Sequence, residues 1–236
     1  MTVDQLLVKL KTRINKLDSH DYDNLEVWQL LEAYNRSQLL FVRQNLHGGN
    51  MYREGDEASK RRIDDFSRLI VSYVPTLVKK KNYYEFSLPV KDYMVFKRLD
   101  VIAKKCDCEG VLVTYLGEEA NVNNYLFNSL LRPSFLWRET FFTMSDGKVK
   151  IYNGWEDHEE FEIKDCVLHY YRYPVNVAKG GHYSLEQQGI APVDVNPEFA
   201  DDVVETIISF TAAIISGDIK DDFGFQVNKS ISDSSN

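Results

Sequence analysis

The residues best suited to chemistry in this 236-residue chain are three cysteines, five histidines and several paired carboxylates. Cys106 and Cys108 form a CxC pair, and Cys166 follows sixty residues later. Zinc needs four ligands, or three and a water, and no His or fourth Cys stands at a useful spacing. The thiols therefore read as buried or half-buried side chains. Cys166 and His169 share a short stretch, but residues i and i+3 of a strand point to opposite faces, which excludes a nucleophile–base pair. His169 reads as a packed or hydrogen-bonded side chain rather than a base, and His20, His47, His158 and His182 are scattered. Gly180-Gly181 reads as a turn, because neither GxxxxGK[ST] nor GxGxxG occurs. GxSxG and HExxH are missing as well. Glu156-Asp157 and Glu159-Glu160 suit a solvated acidic loop, and nothing favours a glycosidase pair among them. Lys60-Arg61-Arg62 splay in different directions on a helix. Lys79-Lys80-Lys81 sit at a helix-to-strand junction, where they could touch a phosphate backbone or simply face water. No catalytic residue, cofactor or metal is expected.

Composition narrows the classes further. The net charge is −8, against a general nucleic-acid binder. It is also uneven: residues 1–81 hold fourteen Lys/Arg against eleven Asp/Glu, leaving fourteen against twenty-five beyond. Such a split is either ordinary solvated surface or a molecule with oppositely charged ends, suited to docking on copies of itself or another ordered partner. Aromatic residues make up 13% of the chain, enough for extensive core or interface packing. No apolar run approaches the ~18 residues of a membrane span. Asp4 and the lack of an apolar leader argue against a secretory signal, and three cysteines fit a reducing compartment.

The elements that would carry these residues change period along the chain. Thr2 and Gln5 form a capping box, after which Val3, Leu6, Leu7, Leu10, Ile14 and Leu17 recur at helical spacing. A second helix is expected from Asp23 or Asn24, with Leu25, Trp28, Leu31, Leu39, Val42 and Leu46 on its stripe. A third starts near Asp56 and buries Ile63, Phe66, Ile70 and Tyr73 before Pro75. Residues 1–81 thus read as a helical bundle. From 82 to 173 the period turns to two. Strands are expected at Tyr84–Leu88, 94–104, 111–116, Trp137–Met144, Lys148–Tyr152, Phe161–Ile163 and Val167–Tyr173. Asn121 caps a short helix over 122–130, and Asp146-Gly147 makes a hairpin turn. Residues 174–196 read as an extended arm or loop. Tyr183, Leu185, Ile190 and Val193 are its apolar anchors and the candidate interface, and a surface Ω-loop packed on its own subunit is the competing reading. Asn196 and Pro197 open a last helix, packed with the bundle and running to Gly217 before a polar tail that fills out residues 197–236. Ile207, Ile208, Ile214 and Ile215 occupy two stripes, so that helix is expected to pack on more than one face. The class is α+β.

One resemblance spans nearly the whole chain. Asn121-Val122-Asn123-Asn124-Tyr125-Leu126 and then Arg132-Pro133-Ser134-Phe135-Leu136-Trp137-Arg138-Glu139-Thr140-Phe141 resemble a block of structural proteins from crAss-like bacteriophages. Two further blocks agree in kind and order. The first runs from Lys16-Leu17-Asp18-Ser19 through Trp28-Gln29-Leu30-Leu31-Glu32-Ala33-Tyr34-Asn35 to Gly55-Asp56-Glu57. The second joins Tyr171-Arg172-Tyr173-Pro174 to Pro197-Glu198-Phe199 and Gly217-Asp218-Ile219. The resemblance implies a ring or adaptor protein of the head–tail connector, similar to the tail-tube adaptors of short-tailed phages. It implies copies of itself in a ring, commonly twelve, with the portal and neighbouring tail or ring proteins as partners. DNA would be passing cargo, and the location would be the virion, after synthesis in the host cytoplasm. No family residue carries catalysis. An acidic wall would let DNA pass, since phosphates are repelled rather than held through counterion release. The alternatives are an enzyme with an atypical site and a receptor-binding module of the virion.

Overall fold

Alternation of apolar and polar side chains builds one large sheet in the middle of this α+β chain. The computed structural model describes residues 1–14, 25–46, 65–89, 91–154, 161–218 and 229. The chain divides into two compact units, Leu69–Tyr173 and a second made of Met1–Arg68 with Pro174–Asn236.

The sheet unit contains β1 (Ile70–Tyr73), β2 (Val78–Lys79), β3 (Tyr83–Ser87), β4 (Tyr93–Lys105), β5 (Cys108–Leu116), β6 (Glu139–Ser145), β7 (Lys148–Tyr152) and β8 (Glu162–Arg172). Their order across the sheet is β1-β8-β4-β5-β6-β7-β3-β2. Every pairing is antiparallel except β5 with β6. That parallel pair requires a crossover, which contains a 3₁₀ turn at Glu119–Asn121 and a short helix, α1, at Val122–Phe127. Inward side chains from β3 through β8 form one buried cluster, so the sheet curls round its own inner face. Phe96 of β4 meets Phe142 of β6 at 5.2 Å between ring centroids, reaching past β5. The fully buried Phe142 ring contributes on the order of 1.5–3 kcal/mol of burial free energy, and Phe96 is half-buried against it. The β6–β7 turn is as expected: Asp146 and Gly147 have φ of 52° and 66°, the positive values a type I′ hairpin needs.

Among the described residues, the other unit holds three long helices. Helix α2 is Val3–Ile14, α3 is Val27–Leu46 and α4 is Asp201–Asp218. At the start of α2 the capping box forms in both directions: Thr2 N–H donates to Gln5 Oε1 at 3.1 Å, and Gln5 N–H to Thr2 Oγ1 at 3.3 Å. Val3, Leu6, Leu7, Leu10 and Ile14 are buried as their spacing requires. Helix α4 is enclosed on nearly all sides. Residues 206–209 and 211–213 are all buried, and at about 100° per residue such runs sample every direction around a helix. The hydroxyls of Thr206, Ser209 and Thr211 donate to carbonyls four residues back, which satisfies them without an outside partner. Lys9 and Arg13 of α2 reach Glu205 and Ser209 of α4.

Several expectations need correction. Ile70 and Tyr73 are not on a helix. They lie in β1, paired with Tyr171 and Leu168 of β8, so residues 69–81 belong to the sheet unit rather than to the helices. Residues 56–64, like Leu17, Asp23 and Asn24, lie outside the described residues, and only 65–67 are helical there. The two strands expected at Phe161–Ile163 and Val167–Tyr173 are one, β8, because β4 pairs along its length through three register shifts. The 122–130 helix stops at Phe127, where Asn128 turns extended and its Oδ1 accepts from Leu130 N–H. Asn121 makes no cap bond to the backbone; its side chain bonds Glu118 and Asn124. Asn196 does cap a helix, but another one. Its Oδ1 accepts from Val3 N–H at 2.9 Å, at the start of α2, while α4 begins only at Asp201.

Candidate functional site

Residues 174–196 form a loop rather than a regular helix or long strand. They fold into a loop on the helical unit that ends in a small hairpin of β9 (Tyr183–Ser184) and β10 (Gly189–Ile190). Its base is tied to α3. Asn35 bonds the backbone of Val177 in both directions, at 2.8 and 3.1 Å, and buried Gln38 donates to the Val175 carbonyl at 3.0 Å. Its neck is closed by an Ala178–Val195 bridge and by Asp194, which accepts from Lys179 Nζ at 2.9 Å and Gly180 N–H at 2.8 Å. The Lys179 ammonium, then the Gly180 N–H, hold the Asp194 carboxyl below its ordinary range. Gly180 fits closely here: a Cβ would lie 3.1 Å from Asp194 Oδ1 and 3.2 Å from the Val193 carbonyl carbon, tighter than ordinary van der Waals contact. The four candidate interface residues, Tyr183, Leu185, Ile190 and Val193, are all exposed, with Ile190 at 71%. Tyr183 also meets Trp28 edge-on at 6.2 Å.

A second apolar surface, in the sheet unit, follows the short crossover helix α1. Phe127, Leu130, Leu131, Leu136 and Trp137 project into solvent, with Leu130 at 85%, Leu136 at 84% and Trp137 at 75% exposure. The loop that bears them is firmly held. Phe135 packs on Phe161 and the inner cluster, and a bridge joins Ser134 to Glu139. The Arg138 carbonyl accepts from Val113 N–H of β5 at 2.7 Å, and its guanidinium lies across Gly110. The outer face of β5, with Val111, Val113 and Tyr115, continues the exposed apolar surface from there. Partial burial and then a bond to the Glu139 carboxylate raise the Tyr115 hydroxyl to about 12, so it stays neutral. We call the loop and strand together the shelf. On the next two strands, β6 and β7, the same outer face is covered instead: Phe141 and Tyr152 are buried against Leu126 of the crossover, with their rings stacked at 4.5 Å.

The structure also joins polar residues that lie far apart in sequence. Ser72 of β1 and His169 of β8 are register partners, and Ser72 Oγ lies 2.9 Å from His169 Nδ1. Asp100 Oδ2 of β4 lies 3.1 Å from His169 Nε2 and 3.0 Å from Arg98 Nη2. His169 is thus hydrogen-bonded, with a hydroxyl on Nδ1 and, at Nε2, both the Asp100 carboxylate and the Arg98 guanidinium, 3.3 Å away. Ser72 escapes a sequence reading because its stretch carries a helical pattern and its partner stands ninety-seven positions away. Cys166 is buried on the inner face, and burial, then Asp165, push its thiol up to about 12, which leaves it unreactive. Cys106 and Cys108 are exposed around the β4–β5 turn, where Cys106 has φ 53°. Of the basic triplets, Lys80 pairs with Glu85 at 3.3 Å and Lys79 sits over the Tyr84 ring, whereas Lys60-Arg61-Arg62 lie outside the described residues. So do the acidic pairs at 156–160.

No protein-family model matches the chain, and no curated protein matches it in sequence. No helix among the described residues is long and apolar enough to cross a membrane.

Proposed function

We propose that the chain is a structural subunit of a bacteriophage virion, forming an oligomeric ring of the head–tail connector that joins the portal to the tail and lets DNA pass. The carrying observation is the shelf. A rigidly held loop that turns Leu130, Leu136 and Trp137 outward leaves apolar area that water disfavours and a neighbouring protein would cover. In this reading α2, α3 and α4 form the bundle, with α4 returning to the amino-terminal helices. The block that resembles crAss-like phage structural proteins, Arg132 to Phe141, contains Leu136 and Trp137 of the shelf. The net charge of −8 suits a wall past which DNA slides. Cryo-electron microscopy of particles that contain this chain tests the proposal. A closed ring of it, commonly twelve copies, is expected next to the portal. Particles that hold the chain elsewhere, or as scattered single copies, would overturn it.

One observation favours a second reading, a hydrolase. Ser72, His169 and Asp100 form a hydroxyl–imidazole–carboxylate line, the donor set of nucleophilic catalysis. Leu69 O accepts from Arg172 N–H, so in the antiparallel ladder Ser72–His169 is a non-hydrogen-bonded pair. The Ser72 N–H therefore faces the free edge of β1, where it could donate to an oxyanion. A fluorophosphonate probe separates the readings. Covalent labelling at Ser72, lost in Ser72→Ala, would establish the hydrolase, and an unlabelled protein leaves the cluster as a hydrogen-bonded clasp between β1, β8 and β4.

A further inference from the structure

We propose that Arg98 and Asp100 compete for one atom, Nε2 of His169, and that an ester substrate carrying an oxyanion group settles the contest by drawing the Arg98 guanidinium to itself, which makes Ser72 a nucleophile. The inference rests on the hydrolase reading above and deepens it with a positioning residue and a substrate class.

The three groups form a triangle. Asp100 Oδ2 lies 3.0 Å from Arg98 Nη2 and 3.1 Å from His169 Nε2, and the two nitrogens are 3.3 Å apart. A carboxylate only accepts, so Asp100 requires the ring proton on Nε2; a guanidinium only donates, so Arg98 requires Nε2 bare. A neutral imidazole has one N–H and cannot satisfy both. With the proton on Nε2, the bare Nδ1 lies 2.9 Å from Ser72 Oγ and can take the hydroxyl proton. With the proton on Nδ1, the ring donates to Ser72 and no base is left. Arg98 also bonds the same Asp100 oxygen that would hold the Nε2 proton. It therefore weakens the active tautomer twice.

Exposure and charge point to the ligand. Ser72 is exposed, and the Arg98 side chain is 64% exposed against 18% for His169, so an arriving anion reaches the guanidinium first. A second cation stands nearby. Lys97 bonds the Tyr171 hydroxyl at 3.2 Å, and Tyr171 follows His169 on the same face of β8. The carboxylates around the site are engaged. Asp100 is in the triangle, Asp165 of β8 accepts from Cys166 N–H at 2.8 Å, and Glu139, beyond β5, bonds Tyr115. Strand β1 carries no charge. An oxyanion forked on Arg98 leaves Asp100 to His169 alone. Ser72 Oγ then attacks the ester carbonyl carbon as its proton passes to Nδ1. The leaving alcohol takes that proton, and water cleaves the acyl-serine, so ester and water become acid and alcohol.

Nitrogen NMR of the labelled full chain, recorded well above the ordinary imidazole range, reads the tautomer directly. The His169 signals are those lost in His169→Gln. Inorganic phosphate and acetate, each compared with sodium chloride at equal ionic strength, should raise the Nε2–H fraction. The stronger of the two tells whether the substrate's anion is a phosphate or a carboxylate. Arg98→Met should favour the Nε2–H form without any anion, and Asp100→Asn, whose amide can donate, should shift the ring toward Nδ1–H.

A fluorophosphonate, which loses fluoride as the Oγ–P bond forms and needs no anion site, reads the serine. Ser72 should label roughly tenfold faster in Arg98→Met than in the parent, the scale of one hydrogen bond to a charged group. Phosphate or acetate should quicken the parent and leave Arg98→Met unchanged, while Asp100→Asn should label roughly a hundredfold more slowly. A tautomer that neither anion moves overturns the proposal, and that measurement needs no variant to fold. Equal labelling of the parent and Arg98→Met also overturns it, leaving the hydrolase reading in place. Failure of the hydrolase reading looks different: the ring shifts as expected, yet Ser72 takes no label in any chain.

Discussion

Ile208 in α4 is 1% exposed and Val113 in β5 is 60% exposed, although both are β-branched apolar side chains inside regular elements. The difference is one of cover. Helix α4 has α2 and α3 against it, so its apolar stripes are consumed in folding. On the outer face of the sheet the short crossover helix ends at Phe127 after covering Phe141 and Tyr152, and it leaves Val113 of β5 exposed. Apolar content by itself thus says nothing about whether a residue holds the fold or awaits a partner. The answer lies in which elements the chain has left to place over it.

Substitutions can break that contrast or sharpen it. Ile208→Ala should have the largest effect, a loss of roughly 2–5 kcal/mol, because a fully enclosed site cannot collapse around the missing atoms. Denaturant melts followed by helix signal would read it, and a loss below 1 kcal/mol would mean that α4 is peripheral. Gly117→Ala comes next. Its Cβ would lie 3.1 Å from Tyr125 and 3.2 Å from Phe141, so it should overpack the crossover at a cost of about 1–3 kcal/mol. Near-ultraviolet circular dichroism should report disturbed tyrosine packing, and an unaltered spectrum would show that the crossover is loosely seated. Val113→Thr should change stability by no more than about 0.5 kcal/mol, since water already reaches the side chain. A larger loss in the isolated chain would mean that β5 is covered in solution.

The smallest effect is local and depends on pH. The Asp194 carboxyl is held below its ordinary range, so its bonds to Lys179 and Gly180 contribute fully above that range. The contribution is lost as pH falls through the lowered folded value, when the carboxyl gains a proton. Amide exchange at Gly180, corrected for its intrinsic pH dependence, should therefore quicken on acidification, and Asp194→Asn should remove that change while leaving global melting almost untouched. Exchange protection that is the same in the variant and the parent at every pH would show that the hairpin neck closes without this carboxylate.

What could be read from the sequence was what neighbouring residues decide. Thr2 with Gln5, and Asp146 with Gly147, carry their geometry in a few adjacent positions, and both form as expected. The buried stripe of α2 follows from spacing alone. Distant partners overruled local pattern elsewhere. Phe66, Ile70 and Tyr73 fit a helical period, yet β8, about a hundred residues away, draws the last two into a ladder. Asn196 has the chemistry of a cap, but which helix it caps depends on packing within the unit. The hairpin residues were legible as apolar anchors on a loop. The shelf was not, because Leu136 and Trp137 look like core in any sequence, and only the finished fold leaves them outside.

The sheet unit is an insertion within the helical one, and its two ends meet: Arg172 N–H donates to the Leu69 carbonyl at 2.9 Å. During synthesis this inverts the usual order of completion. Helices α2 and α3 leave the ribosome first, yet α4, which packs on them, is made after the whole of the sheet unit. The inserted unit has all its strands once Tyr173 has emerged, while Leu10, Leu30 and Val42 still lack that cover. A nascent chain paused at that point carries a completed sheet beside sticky, unfinished helices, the kind of intermediate that chaperones bind and that aggregates when they are scarce.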